Sequence, residues 1–366
     1  MVNNNKKKKM NKNTICSAVL ATTVFWSGVA AGAAADVPLP SPQTPEAFAF
    51  RAPQASASEP TYALGSGHLA LFRAVNALRQ KLGVGLLAQD MALDAAAQAH
   101  AVYLNTHSVA QHNQTPGDQD FYEATPLLRA RKAGAAASQW VGEVVGAARG
   151  PNDSEIGLGC FNQWYHTVYH LQTLVTNQES VGVGFSATGA LGLNLCVLDF
   201  GTQAAAQGHP MPNGVPYGGG QHFDAGTFVT VPGNGERDVQ AGFNFAGESP
   251  NPAPDLPTPG RPLMVYANGA LAEVLSVTTF KVVRSNGAEV PARVLVSQAA
   301  KAGGSDGIAD EYIRNNAVFL LPISPLANRE TYTATFSGTR AGKPVSFSWS
   351  FTYAELLPWN MVGIRQ

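Results

Sequence analysis

Apolar residues in the first half of the chain follow helical and strand spacings in turn. Between residues 71 and 82 they recur at steps of three and four, which predicts an amphipathic helix that ends at a Gly-Val-Gly sequence. A second helix is predicted from about residue 89 to residue 105, where runs of alanine suit close packing. Residues 140–145 predict a short strand with one acidic residue among apolar neighbours.

The stretch from Gly159 to Phe185 combines both patterns. Its first part predicts a helix with one apolar face, and residues 181–185 predict a buried strand. His166 and His170 are four residues apart, so a continuous helix places them on a common face about one turn apart. This spacing fits a pair of ligands, and it also fits surface or hydrogen-bonded histidines.

From about Arg261 onward the pattern is all-β. Residues 280–284 and 291–296 flank an Asn-Gly pair, which is typical of a β-hairpin. Strict alternation over residues 331–338 and 345–353 predicts two further strands. Several short strands separated by turn signals favour a β-sandwich.

The N-terminus has the features of a cleaved signal peptide, residues 1–35. A basic start is followed by an apolar run and then by three alanines before Asp36. Cleavage removes five lysines and no acid, so the formal net charge changes from -1 to about -6. We therefore expect a secreted or periplasmic protein with no transmembrane anchor after cleavage. A Pro/Ala-rich linker, residues 36–61, follows.

The composition bounds the class of protein. With 366 residues, of which 45% are hydrophobic, the chain can build two folded domains. It has no long run of like charges after the N-terminus, which argues against nucleic acid as a partner.

Export would leave two cysteines, Cys160 and Cys196, in an oxidising compartment. A disulfide between them would contribute roughly 3–4 kcal/mol if it is unstrained. It would join the start of the central helix to a strand near residues 191–200. Two separate buried thiols are the alternative. A thiolate nucleophile is disfavoured, because neither cysteine lies in a Cys-x-x-Cys motif or beside an obvious base.

Two polar residues interrupt apolar patterns. Glu143 is embedded in the predicted strand, and a buried carboxylate is costly unless it is paired or hydrogen-bonded. We therefore expect a cationic or hydrogen-bond-donating partner for it. His100 lies in the apolar stripe of the second helix, where a core histidine bonded to a backbone carbonyl is expected.

Short motifs follow one another in a recognisable order through the first half of the chain: Val75 to Arg79, Leu87 and Asp90, Leu93, Ala96-Ala97, His100-Ala101, Tyr103, His112, Gly142-Glu143, Trp164, His170, Val181 to Gly184 and Asp199-Phe200-Gly201. This succession resembles the CAP superfamily of cysteine-rich secretory, antigen 5 and pathogenesis-related proteins, and in particular its bacterial secreted branch. The resemblance covers residues 62–207. It implies an α-β-α sandwich with helices on both faces of a small antiparallel sheet.

The family's open cleft carries two histidines and two glutamates. The resemblance places the first histidine at His112, the first glutamate at Glu143 and the second histidine at His170. The second glutamate falls on Thr167, which is not an acid, and the arginine that usually follows the second histidine is missing. The resemblance thus implies a reduced set of His112, Glu143 and His170, with His166 as a substitute one turn away.

Two neutral imidazoles and a carboxylate can bind a divalent metal, zinc foremost, with positions left open for water. As catalytic residues, the same three could orient a water as a general base. The sequence has no His-Glu-x-x-His or Gly-x-Ser-x-Gly motif, and the family often keeps this constellation without demonstrated catalysis. We therefore expect binding of a small apolar ligand, a metal or a cell-envelope component. A metal-assisted hydrolase is the first alternative, and a surface adhesion protein with a vestigial cleft is the second.

The remainder of the chain divides into three segments. A Gly/Pro-rich connector, residues 208–259, is expected to lie across the first domain. The all-β region, residues 260–354, resembles a bacterial Ig-like domain and is interpreted as a spacer or adhesive module; a C-terminal tail, residues 355–366, follows. The expected fold class is α+β: an α-β-α sandwich (CAP-like) domain followed by an all-β Ig-like sandwich.

Overall fold

The structure is a computed structural model that describes residues 51–187, 193–203, 219–239, 248–268 and 273–354. The predicted signal peptide, most of the predicted linker and the predicted C-terminal tail lie outside the described residues. All described residues belong to one compact unit, Thr44–Gln366. Among them, no helix is both long enough and apolar enough to span a membrane.

The first half of the chain is mixed α/β. Its elements are, in chain order, α1 (Gly67–Leu82), β1 (Ala88–Gln89), α2 (Met91–His107), α3 (Pro126–Lys132), β2 (Trp140–Ala148), α4 (Asp153–Tyr165), α5 (Tyr169–Val175), β3 (Ser180–Ser186) and β4 (Asn194–Thr202). The strands form one sheet in the order β1-β3-β4-β2. β2 and β3 pair antiparallel with β4, and β1 pairs parallel with β3. β2 is therefore an edge strand.

Helices cover both faces of this sheet because successive strand residues point to opposite sides. Val145 and Val197 are opposite each other and belong to the apolar cluster that contains α2 residues. Their neighbours Val144 and Leu198 belong to the larger cluster that α1, α4 and α5 build on the other face. The sheet thus lies between two helical layers.

Two glycines allow α2 to lie close against β3. A Cβ at Gly182 would come within 2.0 Å of the carbonyl carbon of Leu93, and one at Gly184 within 2.1 Å of the carbonyl oxygen of Ala97. Both contacts are to the backbone of α2, which cannot move aside as a flexible side chain can. The Val-Gly-Val-Gly pattern therefore marks the closest contact between helix and sheet.

The predicted disulfide is confirmed. Cys160 of α4 is bonded to Cys196 of β4, and both residues are fully buried. The bridge ties a helix of one layer to a central strand of the sheet. It spans a sequence separation of 36 residues, for which loop closure contributes about 3–4 kcal/mol.

The second half forms two sheets. Its elements are β5 (Phe228–Val231), β6 (Glu236–Val239), β7 (Leu263–Ala267), β8 (Leu275–Arg284), β9 (Ala292–Ser297), α6 (Gln298–Ala302), β10 (Ile308–Asp310), β11 (Ala317–Pro322), β12 (Thr331–Arg340) and β13 (Lys343–Tyr353). A five-stranded sheet has the order β10-β9-β11-β7-β5, and a four-stranded sheet has the order β6-β13-β12-β8. Side chains of both sheets share one apolar cluster, so the sheets pack face to face. That this region is Ig-like stays a prediction.

The central strands of the five-stranded sheet, β7 and β11, are buried on both faces. In β11, Val318 and Leu320 belong to the cluster shared with the four-stranded sheet, whereas Phe319 belongs to the cluster of α1, α4 and α5. Every residue of β7 and β11 is buried. The second half therefore packs directly on the helices of the first half, and one apolar cluster runs through both.

The hairpin predicted around the Asn-Gly pair forms only at its turn. The backbone N–H of Val290 donates to Val282, but β8 stays in the four-stranded sheet while β9 enters the five-stranded one. Pro291 follows directly and has no N–H with which to continue the ladder. The chain therefore crosses from one sheet to the other at this point.

The single helix predicted after Gly159 is divided into two. α4 ends at Tyr165, with His166 as its C-cap, and α5 begins at Tyr169. His166 and His170 thus lie on different helices and do not share a face. The prediction of a common face was wrong because it assumed an unbroken helix.

Candidate functional site

An open cleft of about 340 Å³ lies at the edge of the first sheet. One wall is the start of β2, residues 141–144, together with His112. A second wall is α5, which contributes His170. The third is residues 248–250 of the connector, together with Tyr312 from the all-β region. The structure thus brings His112, Glu143 and His170 to one cleft, and the second half of the chain completes it.

Glu143 is the centre of a buried charged network. Its Oε1 lies 2.8 Å from Nδ1 of His112, and its Oε2 accepts a 2.6 Å hydrogen bond from Nη2 of Arg129. The Arg129 side chain is fully buried, and it also donates to the backbone oxygen of His112 at 3.0 Å. The predicted cationic partner of Glu143 is therefore Arg129, which α3 supplies. The same guanidinium holds both the carboxylate and the loop that carries His112.

This network sets the charges of its members. Burial by itself raises the pKa of Glu143, but His100, Arg129 and His112 outweigh it and lower that pKa to about 2. Burial by itself lowers the pKa of His112, but the hydrogen bond and charge of Glu143 outweigh it, so that pKa lies above its ordinary value of 6.5. Glu143 is therefore a carboxylate at neutral pH, and it favours a protonated His112.

His100 lies beneath the cleft as a core histidine. It is fully buried, and its Nε2 lies 2.8 Å from the backbone oxygen of Gln111, as the sequence predicts. Its Nδ1 lies 3.0 Å from the side-chain amide of Gln114. Burial lowers the pKa of His100 more than the nearby charge of Glu143 raises it, so the ring is neutral at neutral pH. At that pH the charge of Glu143 is therefore balanced by Arg129 and His112.

A second buried carboxyl lies next to Glu143. Asp199 is directly opposite Glu143 in the ladder between β2 and β4, and it is fully buried. Neither of its carboxyl oxygens has a partner with hydrogen-bond geometry in the part of the chain that the structure describes. Burial, together with the charge of Glu143, raises the pKa of Asp199 well above its ordinary value of 3.8. The pKa values of these two adjacent carboxyls are thus shifted in opposite directions, that of Glu143 downward and that of Asp199 upward.

His170 is held by a residue from the connector. Its Nδ1 lies 3.3 Å from Oε1 of Glu248 and 3.0 Å from the hydroxyl of Thr167. The carboxylate of Glu248 also accepts backbone hydrogen bonds from Val168 at 2.8 Å and from Tyr169 at 2.6 Å. It therefore satisfies N–H groups that the start of any helix leaves without intrahelical partners. A buried carboxylate thus fixes the start of α5 and the imidazole ring together.

His166 does not line the cleft. It is buried, and its Nδ1 lies 2.6 Å from the backbone oxygen of Asn162. Burial, assisted by the charge of Arg261, lowers the pKa of His166 to about 3. The structure therefore places the predicted substitute ligand as a buried neutral residue at the C-terminal end of α4.

Reasoning from the sequence missed Arg129, Asp199 and Glu248. Arg129 is one of several basic residues near residue 130, and nothing in its spacing singles it out. Asp199 belongs to a motif that was recognised, but no role was assigned to it. Glu248 lies in a polar stretch whose only local feature is the following Ser-Pro. Each residue acquires its role from a partner that is distant in the sequence.

One part of the chain, residues 72–200, matches a known protein family. These residues match the CAP family, described as the cysteine-rich secretory protein family. They form a CAP domain. The match confirms the resemblance for this part of the chain, and it includes His112, Glu143 and His170. It ends before Glu248, so the carboxylate that holds His170 lies outside the CAP domain.

Two solved structures are similar to part of this chain. An outer surface protein from Borrelia burgdorferi has a TM-score of 0.30 and 20% identity, over 36% of this chain and 88% of that one. An extracellular protein with an SCP domain from Bacillus anthracis has a TM-score of 0.29 and 19% identity, over 36% of this chain and 39% of that one. At these values neither structure is informative about function here. Among curated proteins, no sequence matches this chain.

Proposed function

We propose that this chain is an exported CAP-domain protein that binds its ligand in the cleft through His112 and His170. The observation that carries the proposal is the pairing of each imidazole with a carboxylate at Nδ1: Glu143 for His112 and Glu248 for His170. A carboxylate at Nδ1 fixes the orientation of the ring and makes Nε2 the nitrogen that meets a ligand. Neither Nε2 has a hydrogen-bond partner within the described ranges.

In this proposal the two imidazoles would supply part of the ligand set of a divalent cation such as zinc. Both oxygens of Glu143 are engaged by His112 and Arg129, so this carboxylate orients an imidazole and is not free to ligate. Among the described residues, no group of three or more His, Cys, Asp or Glu side chains is placed to hold a metal ion. His112 and His170 would hold the ion, and water or the ligand would complete its coordination. A bound cation would supply Lewis acidity toward a ligand oxygen.

The cleft also presents apolar groups beside the imidazoles. Val141, Tyr169 and Tyr312 line it, and the two tyrosine rings are 5.3 Å apart between centroids. The Tyr169 hydroxyl donates to Asp310 of the all-β region at 2.6 Å, which fixes that ring. These surfaces support a partly apolar ligand or an envelope component. The part of the proposal that concerns export is supported by the signal-peptide pattern of residues 1–35.

A metal-assisted hydrolase using the same residues is the alternative, and one contact argues against a hydroxyl nucleophile in that mechanism. Among the described contacts, the hydroxyl that meets one of these imidazoles is that of Thr167, 3.0 Å from Nδ1 of His170. That hydroxyl is buried and donates to the carbonyl of Trp164 at 2.9 Å, so it accepts from the imidazole. A nucleophile would have to donate its proton to the base. The Thr167–His170 contact therefore positions the ring.

Zinc titration of the purified full chain by calorimetry tests the proposal. We expect binding that is lost in His112→Ala and in His170→Ala. The control is His107→Ala, because His107 lies outside the cleft and its Nε2 contacts the backbone oxygen of Gln119. Magnesium prefers oxygen ligands, so it should bind neither the wild type nor the variants at this site. Equal zinc affinity of the wild type and of the His112→Ala/His170→Ala double variant would show that the cleft is not the site.

A further inference from the structure

The edge strand β2 turns alternate backbone groups away from the sheet. In the antiparallel ladder, Gly142, Val144 and Gly146 pair with β4 residues whose own backbone groups point toward β2. The backbone groups of the intervening residues, from Val141 to Ala147, therefore point outward from the sheet edge. Such a row of donors and acceptors is a template for pairing with another strand.

Helix α4 covers the C-terminal half of this edge. The indole Nε1 of Trp164 donates to the backbone oxygen of Val145 at 2.9 Å. The backbone N–H of Ala147 donates to the side-chain oxygen of Gln163 at 3.2 Å. Two neighbouring helical side chains thus occupy outward-pointing groups in this half. These two contacts also confirm which residues face away from β4.

The N-terminal half of the edge lies in the cleft and is open. The outward backbone N–H and C=O groups of Val141 and Glu143 have no hydrogen-bond partner among the residues that the structure describes. Residues 141–144 all line the cleft. Four residues of strand span about 10 Å, which is the length needed for a short extended segment to pair. The cleft is therefore lined by an edge whose outward backbone groups are unpaired among the described residues, beside His112 and His170.

We propose that this cleft binds an extended peptide, which adds to the first sheet as a strand along Val141 to Val144. This inference deepens the proposed binding function, because it identifies the ligand as a polypeptide segment held by its backbone. The main-chain pairing would supply affinity for any extended segment, and side chains directed toward α5 and Tyr312 would supply selectivity. The cleft volume of about 340 Å³ suits only a few residues, so the partner is a short stretch of a longer chain.

The first experiment screens the full chain, without added metal, against a library of capped pentapeptides on beads. The tightest binder is then N-methylated at one backbone nitrogen at a time, and affinity is followed by fluorescence anisotropy. A paired strand uses alternate N–H groups, so methylation at every second position should weaken binding roughly tenfold or more, and the intervening positions should tolerate it. No binder in the library, or equal sensitivity at every position, would overturn the proposal.

The second experiment removes one donor from the protein. Val141→Pro deletes the outward backbone N–H of an edge strand and also changes a side chain that packs in a buried apolar cluster. Val141→Thr keeps the backbone N–H and the branched shape of the side chain. We expect peptide binding to fall roughly tenfold in Val141→Pro and to stay within roughly twofold of wild type in Val141→Thr. Equal affinity of the two variants would contradict strand pairing.

Hydrogen exchange on the wild type keeps the test independent of how Val141→Pro folds. Bound peptide should slow exchange of the Val141 and Glu143 amides, while the amides of Gly142 and Val144, which already bond to β4, change little. Protection of Val141 and Glu143 in the free protein would mean that its own chain covers the edge, and would refute the proposal.

The two proposals can fail separately. If the protein binds peptide but does not bind zinc, only the metal part of the proposed function is refuted. Zinc binding without peptide binding would refute only this inference.

Discussion

The two imidazole–carboxylate pairs of the cleft reach the same arrangement in opposite ways. His112 is held by Glu143, whose charge is balanced by the buried Arg129 and which lies opposite the buried Asp199. His170 is held by Glu248, whose carboxylate is satisfied mainly by the backbone N–H groups at the start of α5. The first pair is supported by charge, and the second by a helix terminus.

The second pair lies beside a position that departs from the family pattern. At the position where the CAP resemblance expects a second glutamate, Thr167 contacts His170 but carries no charge. The connector supplies the missing carboxylate from a residue about eighty positions further along the chain, at a separation of 78 from His170. The CAP domain alone therefore contains one complete pair, and the connector completes the other.

The largest effect is expected at Glu143. Glu143→Ala would leave the buried Arg129 without its carboxylate, and removing one partner of a buried ion pair costs about 3–5 kcal/mol. Urea unfolding at neutral pH would measure the loss. The matched control is Glu289→Ala, which breaks an ion pair with Lys281 in which both side chains are largely exposed. A loss no greater than that of the control would show that Arg129 does not depend on Glu143.

A smaller loss is expected at Glu248. Glu248→Ala removes the acceptor for the first N–H groups of α5 and should cost about 1–3 kcal/mol. Glu248→Gln keeps one acceptor oxygen and should lose less. The specific readout is faster hydrogen exchange at the amides of Val168 and Tyr169, with no change in β2. If both variants melt like the wild type and those amides exchange as before, the connector does not cap α5.

Asp199 should make the stability around the first pair depend on pH, because it lies opposite Glu143 with a raised pKa. Among the described contacts, Glu248 has no second carboxyl beside it. The folded pKa of Asp199 is raised above the unfolded value by burial first and by Glu143 next, so Asp199 destabilises the fold increasingly as pH rises above 3.8. Asp199→Asn cannot ionise. Its gain in stability over wild type should therefore be absent at low pH and grow toward alkaline pH. Unfolding at a series of pH values measures this, with Asp224→Asn as an exposed control; a gain that does not change with pH would contradict it.

The smallest effect is expected at His112, whose side chain is half exposed. Its folded pKa lies above 6.5, so the pair with Glu143 stabilises the fold fully below that pH and ceases to do so as pH rises through the folded pKa. Since solvent screens the pair, His112→Ala should cost no more than about 1 kcal/mol. The cost should be present at pH 6 and smaller at pH 9. NMR titration of the ring would give the pKa directly, and a value below 6.5 would contradict the assignment.

Short-range patterns in the sequence were sufficient for much of the first domain. The three- and four-residue periods predicted α1 and α2, and the alternation of residues 181–185 predicted β3. The motif order placed His112, Glu143 and His170 in one domain, and they line one cleft. The parity of the cysteines predicted the bridge between Cys160 and Cys196. Each of these predictions depends on local spacing or on a recognisable succession of motifs, and both can be read directly from the linear sequence.

Other features were decided only by the tertiary structure, because they depend on residues that are far apart in the chain. The break between α4 and α5 accompanies capping by Glu248, and Arg129 acquires its role from its hydrogen bond to Glu143 on β2. The crossing of β9 to the other sheet follows from Pro291 and from the burial available between the two halves. A carboxylate has the same local sequence whether it faces solvent, a guanidinium or a helix terminus. Its function therefore depends on which of these the folded chain brings to it.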